Sequence, residues 1–260
     1  MKNYFPPMPP FPILFGQESC INYENNVATL NTFNPALGVP IFYPFGNTDG
    51  TEDYLASIGE EWSPNATRTT VEGPSSICSA PLGTVIANAS GSPGNSGFRF
   101  TNAPTANILF PATWWLSLWF FSYNVNATIL ASEGQRVITM THNGTSSKWR
   151  VGWNDDGILR YVGSTGSQVI GTLESNRWYN LIMCKKTEGS GSADYDIYLD
   201  GELKVSQSLS VASTSNHDWW IGNQAGAGGA SARPLRGGIY GLTFGLNSIL
   251  DQDDVNYLLG

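Results

Sequence analysis

The sequence predicts an all-β fold in which two antiparallel sheets pack as a sandwich. Only 13% of the residues are charged, whereas the chain contains 29 Gly, 9 Trp, 11 Tyr and 12 Phe. Soluble domains average about 25% charged residues, so this composition favours short strands joined by many turns. From about residue 82 onward, short apolar or alternating segments are separated by Gly, Asn, Asp and Ser. This spacing is typical of a two-sheet sandwich, and 260 residues can form one such domain.

The strand pattern continues through the C-terminal part of the chain. The predicted strands span residues 83–88, 98–102, 115–123, 127–131, 136–142, 148–154, 158–162, 168–172, 178–186, 194–199, 203–209, 218–221 and 238–244. Two tight turns, Asp200-Gly201 and Asp155-Asp156-Gly157, are expected to join neighbouring strands as hairpins. Asp-Gly suits a type I′ turn, which needs positive φ at both central residues and matches the twist of the strands.

The last segment, "LDQDDVNYLLG", predicts a short helix. Asp251 is expected to cap its first turn, and Asp253 and Asp254 lie where negative charge favours the helix dipole. Val255, Leu258 and Leu259 share one helical face. The sandwich should therefore end in a helix that packs through this face.

The N-terminal segment, residues 1–45, is rich in Pro and in aromatic residues. Proline fixes its own φ and pushes the preceding residue to an extended conformation, so we expect neither a helix nor a central strand here. Because a disordered tail would be polar, we expect an extended arm that lies on its own domain or on a neighbouring subunit. The alternative for residues 1–45 is a flexible linker. In either case, residues 46–81 would connect this segment to a sandwich of residues 82–260. The apolar side chains of the arm include Phe5, Met8, Phe11, Ile13, Leu14, Phe15 and Phe42.

Charge and hydropathy exclude two classes of partner. The formal net charge is −8 and no cluster of Lys and Arg occurs, which argues against nucleic-acid binding. No stretch approaches the roughly 18 to 20 apolar residues of a membrane span.

The early prolines interrupt any leader, so we expect no signal peptide. Cys20 and Cys78 could form a disulfide bond, but sparse cysteines favour the reduced state, and Cys184 is expected to be a buried apolar group.

The order of several motifs resembles the laminin-G-like branch of the concanavalin A-like lectin/glucanase superfamily. These motifs are "WLSLWFF", "RWYNLIMCKK", "YDIYLDGELKVSQS", "WWIGNQ", "LRGGIYGLTF" and "ILDQDDVNYLL". The resemblance covers roughly residues 82–260 and implies a jelly-roll sandwich of two curved sheets. It does not cover the N-terminal arm.

Catalytic and metal-binding motifs are missing from the sequence. Glycosidases of the superfamily that it resembles carry Glu-x-Asp-x-x-Glu on one strand, and this chain lacks that pattern, so we expect a non-catalytic protein without a cofactor. Ca²⁺ is an alternative ligand, since some laminin-G-like relatives bind it through carboxylates. Turn-forming or solvent-facing Asp is the preferred interpretation for the candidate residues Asp155, Asp156, Asp194 and Asp196.

Aromatic residues supply the remaining candidates for a binding site. Exposed rings stack on sugar faces, although core packing explains the same alternation in a strand. Adjacent residues of a strand point to opposite faces, so one of two neighbouring Trp rings should lie outside the main core. The candidate ligand-binding residues are Trp153, Asn154, Tyr161, Trp219 and Trp220.

These observations favour a non-catalytic structural protein of a virion surface, tethered by its N-terminal arm. The combination of arm, sandwich and missing leader is similar to that of bacteriophage head-decoration, fibre and tail proteins. Its partners would be other virion subunits, and a symmetric homo-oligomer would let the arms dock between subunits. The alternatives are a lectin or receptor-binding adhesin that recognises a cell-surface glycan and is extracellular, and, less favoured, a carbohydrate-active enzyme.

Overall fold

The computed structural model confirms an all-β sandwich of two antiparallel sheets. It describes residues 20–43, 70–78, 81–85, 98–100, 113–127, 134–142, 146–163, 166–187, 192–210, 217–223 and 233–260. In chain order the strands are β1 (Ile41–Tyr43), β2 (Thr70–Glu72), β3 (Leu82–Val85), β4 (Phe98–Phe100), β5 (Trp114–Ser122), β6 (Arg136–His142), β7 (Ser146–Gly152), β8 (Ile158–Gly163), β9 (Gly166–Thr172), β10 (Trp178–Lys185), β11 (Ser192–Leu199), β12 (Glu202–Ser210), β13 (His217–Ile221) and β14 (Gly237–Leu246). The predicted strand at 127–131 falls largely outside the described residues.

The strands divide into an eight-stranded and a six-stranded sheet. The first sheet has the order β12-β11-β10-β5-β14-β3-β2, with β1 also paired to β14. The second sheet has the order β4-β13-β6-β7-β8-β9. The described residues also form the α-helices α1 (Tyr23–Phe33) and α2 (Gln252–Leu259) and a short 3-10 helix, Pro35–Leu37. No helix in this part of the chain has the length and apolar character needed to cross a membrane.

The main core lies between the two sheets. Side chains alternate along β5, so Trp114 and Phe120 point toward the second sheet. The Trp114 ring stacks 6.5 Å from Trp149, and the Phe120 ring lies 6.2 Å from Trp153. Full burial of side chains this large is worth roughly 1.5–3 kcal/mol each, so these rings contribute strongly to holding the sheets together.

A second apolar cluster covers the outer face of the first sheet. Trp115 and Trp119 of β5 point away from the main core and are 0% and 4% exposed. The helices cover them, with Tyr23 of α1 and Leu258 of α2 in the same cluster. The Tyr23 ring meets Trp119 edge-on at 5.9 Å. This arrangement explains why all nine residues of β5 are buried.

The expectation that residues 1–45 contain no helix is wrong. The prolines of this segment lie at 6–12 and from 35 onward, and the stretch between them is free to fold. There, Tyr23, Val27 and Leu30 recur at helical spacing and are the buried face of α1. β1 and β2 also belong to the first sheet, so these segments are part of the sandwich unit. Among the predicted arm residues, Phe42 packs against the outer cluster, and the other six lie outside the described residues.

The preference for reduced cysteines is also wrong for Cys20 and Cys78. The two residues form a disulfide bond with a Cα–Cα distance of 5.0 Å. Backbone pairing brings them together: Ile21 N donates to Ser76 O at 2.7 Å, and Cys78 N donates to Ile21 O at 2.8 Å. Cys184 is free and fully buried, as expected.

The local predictions at the turn and at the C-terminal helix are confirmed. Asp200 and Gly201 have φ of 51° and 80°, which is the conformation that a type I′ turn requires. Asp251 caps α2 by accepting hydrogen bonds from the backbone N–H groups of Asp253 and Asp254. The Asp254 carboxylate in turn accepts from Asn34 Nδ2 at 3.0 Å, which ties the end of α1 to the start of α2.

Candidate functional site

The main candidate site is a cleft of about 560 Å³ at one edge of the first sheet. Its size lies within the roughly 300–1,000 Å³ of small-molecule sites. The cleft is lined by Ile21, Ser75, Ser76, Trp119, Asn176, Arg177, Trp178, Asp200 and Leu259. It combines indole rings with hydroxyl, amide, guanidinium and carboxylate groups.

Two neighbouring strands bring the polar groups of the cleft together. β10 begins at Trp178 and its antiparallel neighbour β11 ends at Leu199, so Arg177 and Asp200 meet at the same edge of the sheet. Asp200 N donates to Asn180 O, and Asn180 N donates to Asp200 Oδ1, both at 2.8 Å. These two hydrogen bonds fix the carboxylate relative to the sheet.

The Arg177 guanidinium lies between two acidic groups and a ring. Its Nη2 donates to Asp200 Oδ2 at 3.1 Å, and Nη1 is 3.9 Å from Glu174 Oε1. The guanidinium carbon lies 4.7 Å from the centre of the Tyr179 ring, within the range of a cation–π interaction. The pKa of the Asp200 carboxyl lies above its ordinary value, because partial burial has the largest effect. The hydrogen bond from Asn180 N and the charge of Arg177 lower the pKa, but by less. Arg177 remains half exposed and can still donate to a ligand.

Trp178 provides an aromatic surface beside these charges. It is partly buried, and its ring centroid lies 4.7 Å from that of Phe121. A Cβ atom at position 83 would lie 3.0 Å from the Trp178 ring, so Gly83 allows the indole to lie close to β3. The indole is therefore held in place and yet lines the open cleft.

The opposite wall comes from the segments that the disulfide bond joins. Ile21 pairs with Ile77 in a parallel bridge, and this pairing presents Ser75 and Ser76 at the surface. Leu259 of α2 completes the wall. The bond from Cys20 to Cys78 therefore stabilises the fold and also holds together the two segments that form this wall of the cleft.

The predicted ligand-binding residues do not line this cleft. Trp153 and Tyr161 are each 1% exposed and belong to the main core, which is the alternative that their strand pattern left open. Trp220 is 4% exposed, and Asn154 is exposed in the turn between β7 and β8. The side chain of Trp219 lies outside the described part of the structure. A buried ring offers no face to a ligand, so Trp153 and Tyr161 cannot form the expected stacking surface as they stand.

Sequence reasoning missed Arg177, Trp178 and Asp200 although a signal was present. An Arg-Trp pair opens one predicted strand, and Asp-Gly closes the next strand along the chain. In an antiparallel meander the start of one strand lies beside the end of the next. That topology alone predicts that these side chains meet.

The acidic residues considered as calcium ligands make other interactions. The Asp156 carboxylate lies 2.7 Å from Arg160 Nη2, and this partner lowers the pKa of Asp156. Asp196 lies 2.8 Å from Lys186 Nζ. Within the described ranges, no group of three or more His, Cys, Asp or Glu residues is placed to hold a metal ion.

Comparison with solved structures supports the fold. Domain 4 of AbnA, a GH43 extracellular arabinanase from Geobacillus stearothermophilus solved in complex with arabinotriose, has a TM-score of 0.55 and 16% identity, with 85% of this chain and 97% of that domain covered. Trypanosoma rangeli sialidase, solved in complex with a difluoro-nononic acid, has a TM-score of 0.58 and 11% identity, with 84% of this chain covered but only 32% of the sialidase.

These similarities concern the fold alone, and this chain spans about a third of the sialidase. No protein-family model and no curated protein sequence matches the chain. The chain is therefore a β-sandwich compatible with the concanavalin A-like resemblance of its sequence.

Proposed function

We propose that this protein binds carbohydrate through the cleft that contains Trp178, Arg177 and Asp200. The observation that carries the proposal is an indole held in place beside an anchored ion pair. A sugar ring has an apolar face of C–H groups and a rim of hydroxyls. Its apolar face would stack on Trp178, while its hydroxyls would donate to Asp200 and accept from Arg177.

The fold neighbours support this proposal. A domain with a similar fold was solved in complex with arabinotriose. Hydrolysis with retention would need two carboxyl groups about 5 Å apart. Among the described residues that line the cleft, Asp200 carries the sole carboxylate, and both of its oxygens accept hydrogen bonds. We therefore propose binding without hydrolysis.

Binding to a panel of glycans, followed by calorimetry with the best ligand, tests this function. Trp178→Ala should weaken binding by roughly tenfold or more, which corresponds to about 1.4 kcal/mol. Asn176→Gly should also weaken binding, because it removes an amide that lines the cleft. Glycine tolerates the φ of 59° at this position, so the fold should be retained. Phe33→Ala is the matched control, because Phe33 is an aromatic residue, 48% exposed, that does not line the cleft. Equal affinity in all three variants would reject the cleft as the site, and turnover of any glycan would reject the non-catalytic assignment.

We further propose that the protein is displayed outside the reducing cytosol, on a virion surface or as an extracellular adhesin. The Cys20–Cys78 bond supports such a location, because disulfide bonds persist in oxidising environments. The apolar residues that precede Cys20 would form the tether to other subunits of a homo-oligomeric assembly.

Deletion of residues 1–18 tests the tether, because it retains Cys20 and α1. The shortened chain should fold and bind glycan normally, but its mass in solution should fall to that of a monomer. An unchanged mass would count against this role for the N-terminal residues.

A further inference from the structure

Building on the proposed function, we propose that the ligand is a neutral oligosaccharide of at least two linked sugar rings, lying across two adjoining clefts. A second cleft of about 550 Å³ shares Asp200 and Leu259 with the first. Its other lining residues are Gly201, Glu202, Leu203, Gln252, Asn256 and Gly260. A ring seated on Trp178 in the first cleft would therefore direct its neighbour into the second.

The junction between the clefts is formed by the Asp200-Gly201 turn and the end of α2. A Cβ atom at position 201 would lie 3.2 Å from Leu259 Cδ1, so the turn and the helix are in contact there. Gln252 Nε2 donates to Gly201 O and to Asn256 Oδ1, both at 3.0 Å. These hydrogen bonds hold the turn against α2, so the two clefts keep a fixed relative position.

The second cleft offers groups that suit an uncharged sugar ring. Leu203 is 43% exposed and provides an aliphatic surface for C–H groups. Asn256 is exposed, and an amide can both donate to and accept from hydroxyls. The described lining of this cleft contains no aromatic ring, so we expect it to strengthen binding that begins at Trp178.

The charges around both clefts argue against an acidic sugar. Arg177 is the sole cation among the described lining residues, and it already interacts with Asp200 and Glu174. Glu202 lines the second cleft and is paired with Lys204. A sugar carboxylate bound to Arg177 would lie close to these acidic groups, and like charges held close together are unfavourable. A neutral ring meets no such repulsion.

Calorimetry with sugars of increasing length tests this inference on the full chain. The neutral probes are the arabinose, xylose and glucose series with one to four rings, and the acidic probes are sialyllactose and oligogalacturonate. We expect the best neutral trisaccharide to bind roughly tenfold tighter than its monosaccharide. Leu203→Ala and Asn256→Ala should remove most of this gain, because both residues line the second cleft. Gln207→Ala, which removes an exposed amide from β12 outside both clefts, should change neither affinity.

The outcomes separate this inference from the proposed function. Equal affinity for the monosaccharide and the trisaccharide, or tightest binding of an acidic probe, would overturn the two-cleft inference while Trp178-dependent binding still stood. Trisaccharide binding that is unchanged in Asn256→Ala and Leu203→Ala would overturn it as well. Binding of none of the probes would overturn the proposed function together with the inference.

Discussion

Removing the Cys20–Cys78 disulfide bond should lower the free energy of unfolding by about 4 kcal/mol at 25 °C. The two residues are 58 positions apart in sequence, so the bond restricts a long loop in the unfolded chain. The loss of loop entropy grows with the logarithm of loop length and accounts for this magnitude. Because domains are stable by only about 5–15 kcal/mol, the change should be easy to measure.

Urea unfolding with and without a reducing agent measures the effect. The double variant Cys20→Ser, Cys78→Ser should unfold like the reduced protein and should no longer respond to the reducing agent, which provides an internal control. In both cases glycan binding should weaken, because Ile21 and Ser76 form the cleft wall that the bond holds. A loss of stability below about 1 kcal/mol would refute the reasoning, since it would mean that the bond does not restrict the unfolded chain.

The other predictions concern three buried groups. Burial raises the pKa of Cys184 to about 12, so iodoacetamide at pH 8 should label no cysteine in the native protein and one in urea without reductant; mass spectrometry would detect a native label that contradicts this. Tyr23→Phe should cost about 0.5–1.5 kcal/mol in urea unfolding, because Ser117 Oγ loses a buried hydrogen bond of 2.9 Å but still accepts from Asn180 Nδ2 at 3.1 Å; an unchanged free energy of unfolding would show that the Tyr23 hydroxyl does not stabilise the fold. Gly241→Ala should cost more than Gly38→Ala, since both have positive φ but a Cβ atom at 241 alone would meet the Tyr23 ring, at 3.0 Å; equal losses would show that the contact has no effect.

Much of the C-terminal sandwich could be predicted because its signals are local. β6 begins and ends where the alternation of its side chains indicated, at Arg136 and His142. The turn at Asp200 and the cap at Asp251 follow from the conformational preferences of single residues. Each of these features depends on a few neighbouring residues and needs no knowledge of the tertiary fold.

The outer layer was harder to predict because its signals are weak or distant in sequence. The apolar face of α1 is small, and the prolines on either side of it favour an extended chain. The pairing of Ile21 with Ile77, which brings Cys20 to Cys78, joins residues that no short window contains. A non-local contact of this kind cannot be predicted from local preferences.

The candidate site was missed for a related reason. Alternation shows that Trp153 lies on one face of a strand, but it does not show whether that face is covered. Trp178 stands at the start of its strand, where the neighbouring sheet edge and the N-terminal segments together form a cleft. Its partial exposure depends on the positions of β3 and β5, which only the folded structure provides.

Helix coverage of the first sheet has a consequence for how this protein could diversify. Because α1 and α2 bury Trp115 and most of Trp119, the central part of the outer surface of that sheet is covered by the protein itself. Under the proposed function, recognition would take place at the rim, where strand ends, a hairpin turn and a helix terminus converge. Exchanges of residues at this rim would then alter which molecule is recognised while the interior that maintains the fold stays unchanged.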